Sequence, residues 1–264
     1  MKPILPAFGY EGGKAALRSW LINYIPAGGS LYIEPFAGRG NMFWLVCCCR
    51  QFKDWWLNDL RQAPFFEALK VVDVKDLPVS VERLQGDDFL AGKLRGDPIP
   101  WIMESAVVWS GSRLETNWFK GTRRTGRNGL ITEDYNHIAW CKKVSNAQAM
   151  LRHYKVRITD WDYTALPWHD WDESVLAYVD PPYQGIAVRS YSEADLDYGE
   201  LVQLLKQTKA RWVLSEYEHP MYLKAFGRPV SRKFKGSSCS LNRGTKRSGR
   251  VECVWQSKNL RGKV

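Results

Sequence analysis

The sequence predicts an α/β fold in which helices cover both faces of a mostly parallel sheet. Short runs of apolar, β-branched and aromatic residues predict strands, and helix-like stretches separate them. Such alternation is typical of parallel sheets. Four predicted strands also end in acids, at Glu34, Asp59, Asp160 or Asp162, and Asp180. Because ligands bind beyond the carboxyl ends of such strands, we expect these acids to line one edge of the sheet.

Strands and helices alternate along most of the chain. The predicted elements are helix 15–24, strand 31–34, helix 42–49, strand 54–59, helix 61–70, helix 146–154, strand 156–159, strand 175–179, helix 196–207, strand 211–215, helix 220–226 and strand 251–255. Between about 76 and 100, proline and glycine recur without periodicity, so no element is predicted there. We therefore expect one domain formed by residues 1–75 and 151–264, with an inserted region of mostly helices and loops over 76–150.

Composition narrows the class of partner. The chain has 264 residues, a formal net charge of +10 and a sequence pI near 9.3. This basic excess suits a polyanion, although a generally basic soluble protein has the same composition. No apolar stretch approaches the ~20 residues of a membrane span, and we expect no signal peptide. The six cysteines, three of them adjacent at 47–49, form no zinc pattern and fit a reducing, cytosolic compartment.

The most distinctive motif is Asp180-Pro181-Pro182-Tyr183, which directly follows the apolar strand 175–179. Two prolines end the strand and stiffen the backbone, so a carboxylate, a carbonyl and an aromatic face share one rigid corner. An exocyclic NH2 group could donate to Asp180 and to the carbonyl of Pro181 while its ring stacks on Tyr183. A simple strand-ending turn with a packed tyrosine would use the same residues.

A glycine-containing loop follows the first predicted strand. After Glu34, the segment 35–41 reads Pro-Phe-Ala-Gly-Arg-Gly-Asn, with glycines at Gly38 and Gly40. Glycines would let this backbone approach a ligand closely. Alone, the loop could also be no more than a tight turn.

Acids at two other strand ends have two interpretations each. Asp59 could accept hydrogen bonds from ribose hydroxyls, or it could cap the helix 61–70. Asp160 and Asp162 could contact a ligand or stabilise a turn.

Taken together, these motifs resemble the Dam-like D12 class, alpha-type, of site-specific DNA adenine-N6 methyltransferases, including those of phages and prophages. The resemblance rests on the Asp-Pro-Pro-Tyr motif and on five further motifs in the family's order, namely Phe8 to Lys14, Tyr32 to Asn41, Leu57-Asn58-Asp59, Asp162-Tyr163 and Leu214 to Tyr217. Three positions depart from the family pattern: Tyr10 replaces Trp, Glu34 replaces Asp, and Trp161 replaces the Gly before Asp162. The last departure leaves the choice between Asp160 and Asp162 open.

The resemblance implies a Rossmann-like sheet that binds S-adenosylmethionine, with S-adenosylhomocysteine as the product. Tyr10 and Lys14 would hold the methionine part, Asp59 would hold the ribose, and Asp162 with Tyr163 would contact the adenine of the cofactor. The complete set of implied cofactor residues is Tyr10, Lys14, Glu34, Pro35, Phe36, Gly38, Gly40, Asn41, Asp59, Asp162, Tyr163 and Asp180. No metal ion is implied.

The resemblance also implies the reaction, an adenine-specific DNA methylation of the EC 2.1.1.72 type. The target adenine would leave the duplex and stack on Tyr183. Asp180 and the carbonyl of Pro181 would accept hydrogen bonds from its N6 amine, and Pro182 would complete the catalytic motif. Accepting both N–H groups raises electron density on the nitrogen, so that a sulfonium methyl held in line can be attacked directly.

Double-stranded DNA is the partner that the family implies, and the region 76–150 would recognise it. Basic side chains bind phosphates, and Arg or Asn can bind base edges, although solvated charged loops have the same composition. The candidates are Arg113, Asn117, Lys120, Arg123, Arg124, Arg127, Arg189, Arg243, Lys246 and Arg247. We expect a monomer without an obligate protein partner, in the cytoplasm and at the nucleoid of a bacterial or phage-infected cell.

Other functions remain compatible with these motifs. The same chemistry could act on cytosine N4, on RNA adenine or on a protein glutamine amide; the acid before Pro-Pro-Tyr favours adenine by analogy, and the basic charge disfavours protein. A nucleic-acid-binding relative without turnover could keep the fold, but Lys14, Asp59, Asp180 and Tyr183 together favour an enzyme. A metal nuclease is disfavoured because the acids follow different strands beside a glycine-containing loop.

Overall fold

A computed structural model describes residues 6, 8, 14, 16–79, 92–107, 123–125, 131–133, 136–183, 196–234 and 250–261. The strands are β1 (Gly28–Glu34), β2 (Gln51–Asn58), β3 (Arg123–Thr125), β4 (Ile131–Glu133), β5 (Arg157–Thr159), β6 (Val175–Val179), β7 (Arg211–Glu216), β8 (Val230–Phe234) and β9 (Arg250–Gln256). The helices are α1 (Arg18–Leu21), α2 (Phe43–Cys49), α3 (Ala63–Val71), α4 (Pro98–Val107), α5 (His137–His153), α6 (Tyr198–Gln207) and α7 (Pro220–Phe226). Short 3-10 helices span Ile22–Tyr24, Val74–Asp76 and Tyr163–Ala165.

The main sheet has seven strands in the order β5-β2-β1-β6-β7-β9-β8. The first five of these are parallel, whereas β9 runs antiparallel to both β7 and β8. From β1 the chain proceeds outward through β2 to β5 and then returns to β6, on the other side of β1. The strand order therefore reverses between β1 and β6, which is the place where ligands of such sheets bind. Strands β3 and β4 form a separate antiparallel pair.

Helices cover both faces of the sheet. Along β6, Leu176 and Tyr178 face a core that includes residues of α2, α3 and α5. The residues that alternate with them face a second core, which includes residues of α6 and α7; these are Val175, Ala177 and Val179. All five side chains are buried, as expected for a central strand of a doubly covered sheet. The α/β class predicted from the sequence is confirmed.

Most predicted elements are present, with ends that shift by a few residues. Helix α5 is the main exception, because it begins at His137 rather than at 146; the side chain of Asn136 caps it by accepting from the N–H of Ala139 at 2.9 Å. Helix α4 was not predicted because Pro98 and Pro100 interrupt its pattern, although proline is tolerated in a first helical turn. Strand β8 was missed because its residues from Val230 to Lys233 are exposed and lack apolar alternation.

The division into a catalytic domain and an inserted region at 76–150 stays a prediction. Trp140 and Val144 of α5 lie in the same core as α2 and α3. Within the part of the chain that the structure describes, no helix is both long and apolar enough to span a membrane.

Candidate active site

The ends of β1 and β6 place two acids beside each other at the point where the strand order reverses. The two strands are paired in parallel, with Ile33 opposite Ala177, so Glu34 and Asp180 follow at the same edge of the sheet. Both side chains are largely removed from solvent, since Glu34 is buried and Asp180 is about four-fifths covered. The sequence prediction that acids meet at this edge is therefore consistent with the observed register.

Lys14 lies against Asp180 although 166 residues separate them in the chain. The Nζ atom of Lys14 is 2.6 Å from Oδ1 of Asp180 and 4.3 Å from the ring centroid of Tyr183. The pKa of Asp180 is raised to about 6 as the net result of several effects. Burial raises it most, the ammonium of Lys14 lowers it, and Glu252 raises it. Burial also lowers the pKa of Lys14, but Asp180 and Glu252 outweigh that effect and hold it above its usual value. At neutral pH the pair is therefore an ion pair.

Glu252 is a member of this cluster that the sequence did not identify. Its side chain on β9 is 1% exposed, and its Oε1 accepts hydrogen bonds from the hydroxyls of Tyr183 and Ser215. Lys14 Nζ lies 3.8 Å from the same oxygen. The available signal was weak: Glu252 is the one acid among eleven Lys and Arg between residues 228 and 263.

The loop after β1 is shaped by glycines, as predicted. Gly38 and Gly40 have φ values of 53° and 66°, which side-chain-bearing residues rarely adopt. A Cβ atom at Gly40 would also lie 3.2 Å from a ring carbon of Phe66. Asn41, at the end of the loop, is buried and donates to the carbonyl of Phe8 at 3.3 Å.

Glu34 is held inside this edge by its neighbour two residues earlier. The hydroxyl of Tyr32 donates to Oε1 of Glu34 at 2.7 Å. Burial raises the pKa of Glu34 to about 8, with Tyr32 lowering it and Asp180 raising it. Glu34 is therefore largely protonated at neutral pH in this structure.

Asp59 is bound almost entirely by backbone N–H groups. Its Oδ1 accepts from Arg61 at 2.9 Å and from Gln62 at 2.8 Å, and its Oδ2 accepts from Gly38 at 2.8 Å. The capping turn that the sequence left as an alternative is thus present before α3. The third bond fastens the β1 loop to the end of β2. Burial raises the pKa of Asp59, and these N–H groups oppose the rise.

Asn58 joins the ends of three strands, a role that its motif alone did not reveal. Its Nδ2 donates to the carbonyls of Pro35 at 3.0 Å and Trp161 at 2.9 Å. Its Oδ1 accepts from the hydroxyl of Thr159 at 2.6 Å and from the N–H of Trp161 at 3.0 Å. All four hydrogen-bonding positions of this buried amide are used, so it fixes the loops after β1, β2 and β5 relative to one another.

A cavity that is open to solvent lies at the ends of these strands. Its walls combine apolar and aromatic groups with two carboxylates, a composition that suits a heteroaromatic ring with attached hydroxyls. The lining residues are Pro35, Phe36, Asp59, Leu60, Arg61, Trp161, Asp162, Tyr163, Pro182, Leu196 and Tyr198. Five of the predicted cofactor residues thus share this cavity, and Pro182 of the predicted catalytic motif connects it to the Asp180 cluster.

Asp162 lines the cavity, which favours it over Asp160 as the second acid of the site. Its Oδ1 also accepts from the N–H of Thr164 at 2.9 Å, so it caps the 3-10 helix as the turn interpretation predicted. The hydroxyl of Tyr163 donates to the carbonyl of Asp197 at 2.9 Å, while its ring packs against Phe36. Trp161 also lines the cavity and is 39% exposed.

The structure does not describe the side chains of several predicted site residues. Tyr10 and eight candidate DNA contacts lie outside the described residues; the eight are Arg113, Asn117, Lys120, Arg127, Arg189, Arg243, Lys246 and Arg247. Arg123 and Arg124 are described only as backbone of β3. The DNA contacts therefore stay a prediction.

A model of one known protein family matches part of the chain. Residues 10–88 match the family model described as D12 class N6 adenine-specific DNA methyltransferase. This match confirms the resemblance to the D12 class. The matched stretch contains Glu34, Asn58 and Asp59 together with the glycine loop, and it ends before the Asp180 motif. No curated protein sequence matches the chain.

The fold agrees with this family. The seven-stranded, mostly parallel sheet with helices on both faces is that of a Rossmann-like methyltransferase. D12 class proteins act as enzymes on adenine in DNA, as their description states. The cofactor, the position of the target base and the roles of individual residues go beyond what this description says.

Proposed function

We propose that the protein transfers a methyl group from S-adenosylmethionine to the N6 amine of adenine in DNA and releases S-adenosylhomocysteine. The observation that carries the proposal is the cluster of Lys14, Asp180 and Tyr183, which lies beside the cavity where the strand order reverses. The D12 class match supports the reaction and its acceptor.

The residues present fit S-adenosylmethionine. The cavity offers aromatic and apolar walls for its adenine and the carboxylate of Asp59 for its ribose. The ammonium of Lys14 can hold a carboxylate, since an ammonium has three donors. Buried carboxylates at Asp180 and Glu252 make the surroundings suitable for a cationic ligand. When bound, the cofactor supplies an electrophilic sulfonium methyl group.

Asp180 is the group that would act on the target base. Its carboxylate stands at the end of β6, directly before two prolines that fix the backbone. It would accept one N–H of the adenine amine while the carbonyl of Pro181 accepts the other, which favours attack by the nitrogen lone pair. The ring of Tyr183 would stack on the flipped base and offset part of the cost of unstacking, a few kcal/mol.

Two other acceptors keep the same chemistry and define the alternatives to be tested. Cytosine N4 and RNA adenine both present an exocyclic amine to the same corner. A relative that binds nucleic acid without turnover is a third possibility. Double-stranded DNA as substrate, the monomeric state and the location at the nucleoid remain predictions of the proposal.

The test is to identify the methylated nucleoside. The protein is incubated with labelled S-adenosylmethionine and unmethylated genomic DNA or RNA, and the products are digested to nucleosides. We expect N6-methyladenine from DNA, lost in Asp180→Asn and retained in Asp170→Asn, which makes the same change in an exposed turn. Labelled N4-methylcytosine or methylated RNA would move the proposal to that acceptor, and no product despite cofactor binding would favour an inactive relative.

A further inference from the structure

Glu252 occupies the centre of the Lys14–Asp180–Tyr183 cluster without belonging to any of the motifs that define it. We infer that Glu252 is a positioning residue for methyl transfer, which orients the ring of Tyr183 and shares the ammonium of Lys14 with Asp180. The inference rests on the proposed function, because the target base is the ligand that Tyr183 would hold.

The contacts of Tyr183 show how its ring is fixed. Its hydroxyl donates to Oε1 of Glu252, and its ring packs edge to face on Tyr217 with centroids 4.5 Å apart. Lys14 Nζ lies 4.3 Å from the ring centroid. A tyrosine held at its hydroxyl, its edge and its face has little freedom to reorient, so a base would meet a platform already in place.

Strand pairing fixes Glu252 in turn. β9 pairs antiparallel with β7, with Cys253 opposite Glu216 and Val254 opposite Ser215. The hydroxyl of Ser215 donates to the same Oε1 atom that receives Tyr183. The carboxylate is therefore anchored to the end of β7, and the orientation of Tyr183 is set by the sheet rather than by its own loop.

Charge gives Glu252 a second effect. Placing another carboxylate in a buried site beside Asp180 is costly, and the Lys14 ammonium and the hydroxyls of Tyr183 and Ser215 compensate part of that cost. The negative charge of Glu252 makes Asp180 harder to ionise, whereas Lys14 makes it easier. The two residues thus set the pH at which Asp180 becomes an acceptor.

Other groups near this cluster belong to several elements. Glu34 on β1, Tyr178 on β6 and Glu216 on β7 interact electrostatically with Asp180 or with its partners Lys14 and Tyr183. These groups are unchanged in the variants below, so a difference between variants reports the charge or the contacts of Glu252.

The experiment is the pH dependence of single-turnover methyl transfer, at saturating cofactor and DNA, for E252Q and E252A. A glutamine can still accept the two hydroxyls but carries no charge. We expect E252Q to keep a plateau rate close to that of the parent, with the acid limb moved to lower pH, because the charge of Glu252 raises the pKa of Asp180. E252A should show the same shift and lose about tenfold or more in plateau rate, because Tyr183 is released. E67Q, at an exposed position of α3, is the matched control and should change neither quantity.

Two results would overturn the inference. One is a parent-like profile for both variants; the other is an equal loss of rate in both with an unmoved acid limb, which a merely structural role would produce. Failure of the proposed function is separately visible, because Asp180→Asn would then retain methyl transfer. If Asp180→Asn is inactive while E252Q and E252A behave like the parent, the inference alone is wrong.

Discussion

Asp59 and Asp180 are buried carboxylates at the ends of nearby strands of one sheet, yet they are held in opposite ways. Asp59 accepts from three backbone N–H groups, those of Gly38, Arg61 and Gln62. Asp180 is instead held by side chains, above all by the ammonium of Lys14. Backbone donors are fixed by the chain path, whereas an ammonium on a flexible stem can change partners.

This contrast divides the site into a rigid side and an adjustable side. The rigid side consists of the loops that Asp59 and Asn58 fasten around the cavity, and it suits a cofactor that only has to be held. The adjustable side is the ion pair of Lys14 and Asp180, in which the ammonium lowers the pKa of Asp180. Substitutions of the two acids, Asp59 and Asp180, should therefore change different measurements.

Apart from loss of Asp180 itself, the largest effect is expected from Lys14→Met, on the adjustable side. Removing the ammonium should weaken cofactor binding by about 10–100-fold, since a charge-assisted hydrogen bond contributes about 1.5–3 kcal/mol. It should also raise the pKa of Asp180, because Lys14 lowers it, and move the acid limb of transfer to higher pH. Calorimetry and a pH–rate profile measure the two changes. Lys206→Met, exposed on α6, is the control, and unchanged affinity in Lys14→Met would remove Lys14 from the cofactor site.

The next effect is a loss of stability, which is expected from Asn58→Ala on the rigid side. The substitution removes the hydrogen bonds that the buried amide of Asn58 makes to Pro35, Thr159 and Trp161. We expect the free energy of unfolding to fall by about 3 kcal/mol, measured by denaturant titration. Asn23→Ala, at an exposed position, should change it little. An equally small change for both variants would mean that Asn58 does not fasten the strand ends.

A smaller effect is expected from Glu34→Gln, on the pH dependence of stability. Because the pKa of Glu34 is raised from 4.5 to about 8 in the fold, the folded state binds one more proton than the unfolded state between these two pH values. The free energy of unfolding of the parent therefore falls as pH rises toward about 8. Glu34→Gln removes this pH dependence. Between about pH 6 and 9 the variant should gain about 2 kcal/mol relative to the parent in the absence of cofactor. Thermal unfolding at several pH values tests this, with Glu67→Gln as the control; a gap that does not widen with pH would contradict it.

The smallest effect is expected on DNA affinity, when charges are removed from the basic segment near the C-terminus. Replacing Arg243, Lys246 and Arg247 by Ala should lower DNA affinity and reduce the slope of log affinity against log salt by ~0.9 for each phosphate that the variant no longer neutralises. The control replaces three exposed lysines near the amino ends of the strands, the opposite edge from the site; these are Lys53, Lys206 and Lys209. An unchanged slope in the first variant would show that its charges do not touch DNA.

The sequence predicted those features that local pattern determines. Asp180 to Tyr183 are adjacent in the chain, and the glycine loop follows a strand directly, so both can be identified from the sequence alone. The alternation of strands and helices likewise indicated the sheet class, because apolar periodicity is local.

Features that depend on partners distant in sequence could not be predicted. Glu252 lies 72 positions after Asp180, and its place in the site follows from the antiparallel insertion of β9 between β7 and β8. No local pattern specifies that register. The motif located Asn58, but its role depends on carbonyls at Pro35 and Trp161 that only the fold brings together.

The most direct measurement compares Asp180→Asn with Asp59→Asn, using calorimetry for cofactor affinity and single-turnover transfer at saturating cofactor for rate. For Asp180→Asn we expect a rate loss of about a hundredfold or more with affinity kept within about threefold. For Asp59→Asn we expect affinity to fall by about tenfold with the saturated rate kept within about threefold. Near-normal transfer by Asp180→Asn, or equal losses of rate and affinity in both variants, would contradict the account in which Asp59 holds the cofactor and Asp180 acts on the target base.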